Sequence, residues 1–162
     1  MEHNSFNNLV EILKSQVIHY TDIRDTLSQE RTAVTSWDTN TMFELNKHKE
    51  QLVKKEKLLE EARKTLSQRL MQEHNLEDDT ISSIIEVCDD EKAREDLTNL
   101  RDSLLVLVSE ISQITVSLKV LYNTNLKIMH DVKVRMGYLP SNKYGLDNKS
   151  ASSLPSSLQV IG

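Results

Sequence analysis

Residues 97–132 read LTNLRDSLLVLVSEISQITVSLKVLYNTNLKIMHDV. Within them Leu97, Leu100, Leu104, Leu107, Ile111, Ile114, Leu118, Leu121, Asn125, Ile128 and Val132 follow one another in steps of three and four. That spacing lines one side of an α-helix, and Asn125 is its one polar member. A second file, Leu105, Val108, Val116 and Val120, runs beside the first over the middle turns. A stripe that widens in this way predicts packing against two neighbours, which places this helix centrally with another hairpin laid along it. Asp89 or Asp90 offers the N-cap. Gly137 stands where a left-handed C-cap is usual, and Pro140 follows, so the helix is expected over about Asp90 to Met136.

Two further long helices precede it. Phe6, Leu13, Tyr20, Leu27 and Val34 recur every seven residues, with Leu9, Val17 and Ile23 at the half-steps, giving a helix over about Ser5 to Thr35. The stretch Ser36 to Thr41 is rich in residues that compete for backbone hydrogen bonds. Asp38 is a plausible N-cap there, and Thr41-x-x-Glu44 is an alternative capping box. Leu45, Leu52, Leu59, Leu66 and Leu70 then mark a second helix over about Thr39 to His74. Its half-steps hold His48, Lys49, Lys55 and Glu56, so its stripe is narrow and suits one partner helix. Helices joined by so short a break are antiparallel neighbours. His74 to Asp79 reads as a connection, and Ile81, Ile84, Ile85 and Val87 as a short helix. The expected fold is all-α: an elongated antiparallel hairpin or bundle of three long helices plus one short one, over residues 1–136, with a flexible tail over 137–162.

Composition agrees. All three Gly and both Pro of the 162 residues fall at or after Gly137, which leaves little turn chemistry for a sheet before it. A phosphate-cradling glycine loop is excluded on the same ground. Cys88 stands alone, so there is no disulfide framework; it reads as a buried structural thiol in a reducing cytosol. No basic start followed by an apolar run marks a signal peptide. The longest apolar run, Leu104 to Val108, is far short of a membrane span. A net charge of −5 disfavours a general nucleic-acid binder. Residues 47–69 carry eight basic and four acidic side chains, a solvated face first and a binding patch second.

Catalytic and metal constellations are missing. His3, His19, His48, His74 and His130 form no i, i+3 or i, i+4 pair and read as surface or boundary residues. Glu60-Glu61 and Asp89-Asp90 are adjacent on their helices and diverge, so neither is an acid–base pair. Neither an enzyme nor a cofactor is expected. The leucine repeat with its basic residues inside it does not fit a forked DNA-binding helix. Asn125 is either a polar residue that pins the alignment of a helical core or part of a face that accepts a partner helix. Tyr122 and Met129, close by, either enlarge that adaptable face or belong to the hairpin core.

The chain resembles the FlgN family of flagellar type III export chaperones at four places. A first helix ends in Arg31-Thr-Ala-Val34 before the Asp38 turn. A Lys-rich helix carries Lys47-x-Lys49-Glu50-x-Leu52. A late segment reads Leu121-Tyr-Asn-Thr-Asn125-Leu126, and a tail carries Tyr144-Gly145-x-Asp147. The resemblance implies a cytoplasmic chaperone that binds the hook–filament junction subunits FlgK and FlgL and delivers them to the export gate protein FlhA. It adds weight to a client site at Leu121, Tyr122, Asn125, Leu126 and Met129. It implies a gate contact at Tyr144. Neither nucleic acid nor membrane insertion is implied. The competing class is a structural or regulatory coiled-coil protein, a dimerising adaptor. Composition and periodicity do not separate the two, and a homodimer is compatible with both.

Overall fold

A computed structural model of the chain describes residues 2–138, and side chains from Ser5 onward. Its elements are α1 (Glu2–Ser36), α2 (Thr39–His74), α3 (Ile81–Glu86) and α4 (Glu91–Arg135). Among the described residues there is no strand. The boundaries match the spacing and capping signals closely.

The caps are the ones the sequence offers. Asp38 accepts from Thr41 N at 3.0 Å and so starts α2; hydrogen bonds from Thr41 hold its carboxyl below the usual carboxylate range. Thr80 caps α3, and Asp90 accepts from the Lys92 and Ala93 amides at the start of α4. All three long helices close in the same way. The N–H groups of Asp38, Leu76 and Tyr138 reach back to the carbonyls of Ala33, Met71 and Lys133 at 2.9 Å. The left-handed residue in each closure is Trp37 (φ 57°), Asn75 (φ 52°) or Gly137 (φ 77°). Gly and Asn take that conformation readily, whereas Trp does so at a cost. The two-residue corner between α1 and α2, Trp37 and Asp38, carries that cost.

The helix at the centre is α1. It packs extensively on both α2 and α4, which share little with one another. This corrects the expectation that the last helix would be central. The second file on α4 shows why. Leu105, Val108, Val116 and Val120 are exposed, so the widened stripe has no second neighbour among the described residues. The main file behaves as expected on α1, with Leu107, Ile111 and Leu118 buried and Leu104 and Ile114 half-buried.

Two apolar clusters hold the three helices. One joins Phe6, Leu9, Val10 and Leu13 to Leu70, Ile84, Cys88, Ala93 and Leu97. The other joins Ile23, Leu27 and Val34 to Leu52, Ile111 and Leu118. Each fully buried Leu or Ile contributes about 1.5–3 kcal/mol by leaving water. Between the clusters, α1 and α2 meet through polar side chains. Gln16 donates to Glu60 at 3.3 Å, and Arg63 donates to Glu60 at 2.6 Å. Tyr20 donates to Glu56 at 2.6 Å. The hydrogen bonds from Arg63 pull the Glu60 carboxyl down, while burial and the bond to Glu56 push the Tyr20 phenol up.

His19 lies in this layer with no exposed surface, which corrects its assignment as a surface or boundary residue. Its Nε2 is 3.1 Å from Glu56 Oε2 but out of line for a hydrogen bond. Burial lowers the His19 pKa, and the Glu56 charge offsets only part of that. The folded state therefore holds the neutral imidazole, and the unfolded chain takes up the proton first as pH falls through about 6.5. The unfolding free energy is expected to drop between about pH 7 and pH 5, above the range where carboxylates titrate. His19→Gln should abolish that drop. Urea titrations at the two pH values check it, and an equal drop in the variant rules His19 out as its source.

Candidate functional site

The distal end of α4 is where the main stripe outlasts its partner. Ile23, Leu27 and Val34 of α1 pack on Ile111 and Leu118, and Leu121 and Tyr122 lie half-buried at the edge of the same cluster. The Tyr122 hydroxyl donates to Glu30 Oε1 at 2.5 Å, and Lys49 of α2 donates to the same oxygen at 2.7 Å. The Glu30 side chain is 4% exposed, so one buried carboxylate ties the three long helices together. Burial and this hydrogen bond push the Tyr122 phenol up, so it stays a donor at neutral pH.

From that contact α1 continues six residues to Ser36, and α4 thirteen to Arg135. At about 1.5 Å per residue, α4 projects about 10 Å past the hairpin tip. The stripe continues into the projection. Ile128, Val132 and Met136 are exposed there, although the first two carry the spacing of core residues. Leu126 is 68% exposed and Met129 48%. Asn125 is half-buried at the boundary. A shallow groove lined by Arg31, Thr32, Thr35, Ser36 and Leu121 runs along the last turns of α1 beside it.

The structure thus draws the five expected client residues onto one helix segment but divides their surroundings. Leu121 and Tyr122 take part in the core, Asn125 sits at its edge, and Leu126 and Met129 face outward. Tyr144 and the tail beyond Tyr138 lie outside the described residues. Sequence reading missed Glu30. Its signal was a heptad carried through polar residues, since Leu9, Gln16, Ile23 and Glu30 recur every seven and all four are buried. Gln16, and not Val17, holds the half-step.

Among the described residues no three metal-ligating side chains come together. Cys88 is buried, and burial pushes its thiol up, away from the reactive thiolate. The arrangement offers an apolar helix face with a mainly basic margin of Lys127, Lys133 and Arg135 around Asp131. By length and composition alone α4 could cross a membrane, with mean hydropathy 1.7 over its most apolar 18 residues, 17% of which are buried. Its middle, however, carries Glu110, which accepts from Arg24 of α1 at 3.2 Å. A family model described as FlgN protein matches residues 1–132. No curated protein matches the chain, and no solved structure does.

Proposed function

The chain belongs to the FlgN family of flagellar export chaperones, and on that premise we propose that it holds the junction subunits FlgK and FlgL in the cytoplasm and passes them to the gate protein FlhA. The observation that carries this reading is the projecting end of α4. An unassembled junction subunit presents amphipathic helices whose apolar faces are otherwise exposed. A helix whose core stripe runs past its own partner supplies the complementary face, in the helix-in-groove manner. Leu121, Tyr122, Asn125, Leu126 and Met129 form the client segment. Leu126 and Met129 supply adaptable apolar contact, and Asn125 sets the alignment of the bound helix. Holding a client in this way needs no nucleotide.

Co-purification with a purified hook–filament junction subunit tests the proposal. A stable complex that protects the subunit from self-association is expected, and failure to retain it overturns the reading.

Tyr144 is the proposed gate contact. A tyrosine supplies a large contact area with few rotors, and the family likeness of Tyr144-Gly145-x-Asp147 supports the role. Tyr144→Ala is expected to leave melting and client affinity unchanged and to weaken capture by FlhA. A variant that melts earlier while gate binding is intact assigns Tyr144 to the fold instead.

A further inference from the structure

The outer file of α4 lies on the side away from α1, and neither the fold nor the client segment accounts for it. Leu105, Val106, Val108, Val116 and Val120 are 41–63% exposed. They flank Ser109, Ser112 and Gln113, which are uncharged and exposed. From Leu105 to Lys127 the seam runs about 33 Å at the helical rise. The pattern of two neighbours is written into α4, and the described residues supply one of them.

We propose that the second neighbour is α4 of another copy of this chain, docked antiparallel about a two-fold axis near Ser112 and Gln113. Three observations favour that occupant. The apolar residues are disposed symmetrically about the proposed axis, so Leu105 meets the partner's Val120, and Val116 meets the partner's Val108 and Ser109. A two-fold interface requires this kind of self-complementarity. Charges flank the seam at both ends, with exposed Glu91, Lys92, Arg94, Glu95 and Asp102 toward the start of α4 and exposed Lys119, Lys127 and Asp131 toward its end. The antiparallel pairing sets Lys127 at the level of the partner's Glu95 and the partner's Asp102, the latter already holding Arg101 of its own chain at 2.8 Å, and sets Asp131 at the level of the partner's Arg94, whereas a parallel one would set Lys127 on Lys127. Finally, the small side chains at the crossing let the two helices approach closely, as ridges-into-grooves packing needs.

A seam one helix wide is narrower than the roughly 800 Å² per partner of a standard stable interface. The dimer is therefore reversible and forms with rising concentration. It does not depend on the client reading, because it is measured without a client. Sedimentation of the full chain should show a mass rising from 18.6 kDa toward twice that value. Val116→Glu, at an exposed position, should hold the chain at the monomer mass with helicity unchanged. Lys127→Glu should shift the midpoint to higher concentration, and adding Glu95→Lys should restore it. A wild-type chain that stays monomeric overturns the proposal and leaves the face to residues 139–162 or to the client. So does a Val116→Glu chain that dimerises like wild type, or a charge reversal that restores nothing.

Discussion

A chain carrying glutamate at both Leu126 and Met129 is expected to lose client binding while its helicity and melting temperature stay near wild type. Both side chains stand largely in solvent, and surface substitutions of this kind change stability by no more than about 0.5 kcal/mol. In the proposed complex the same positions lie against the apolar face of a client helix. A carboxylate there loses its water without gaining a partner. Interface anchors of this type are worth about 2 kcal/mol or more each, so the pair removes roughly a thousandfold in Kd. Calorimetric titration with a junction subunit, run beside circular-dichroism melts, separates lost binding from lost fold. Binding that survives in a folded variant sends the client elsewhere, first to the basic residues 47–69 of α2.

Ile111→Ala should cost about 2–5 kcal/mol of folding stability, the range for truncating a large aliphatic side chain in a packed site. Ile111 has no exposed surface and lies in the cluster that joins α1, α2 and α4. The loss would be a large part of the roughly 5–15 kcal/mol that holds a domain of this size together. Val116→Ala, five residues on and exposed, should change stability by less than about 0.5 kcal/mol. Urea unfolding of the two variants compares the faces directly. A value for Ile111→Ala within error of wild type would mean that the main stripe of α4 is not packed on α1.

The elements were legible because their signals are local. A chain without Gly or Pro before residue 137, with Asp38 and Asp90 at helix starts and Gly137 at an end, leaves few choices for where helices begin and stop. Their arrangement was less legible. The width of a stripe reports how much apolar surface a helix carries and not whether the neighbour belongs to the same chain. That is why α4 was expected at the centre, while α1 occupies it. The burial of α1 was masked because Gln16, His19 and Glu30 look like surface residues until Glu60, Glu56 and Lys49 are placed opposite them. The client segment was found as a stretch of sequence. The division between the tethered Tyr122 and the outward Leu126 depends on where α1 ends, and no local pattern on α4 records that.

The polar layer between α1 and α2 has a further meaning as positional information. Leu45, Leu52, Leu59 and Leu66 are chemically identical and evenly spaced. Sliding α2 along α1 by seven residues would put leucine where leucine had been, and the apolar surface alone would scarcely register the change. The slide would nonetheless part Gln16 from Glu60, Tyr20 from Glu56, Asp22 from His48 and Glu30 from Lys49. It would strand a buried carboxylate, which is far costlier than a displaced methyl group. Leucines make the pairing of the two helices favourable but degenerate; the unlike polar residues make one alignment distinguishable from its neighbours, the use of buried polarity best attested in coiled coils.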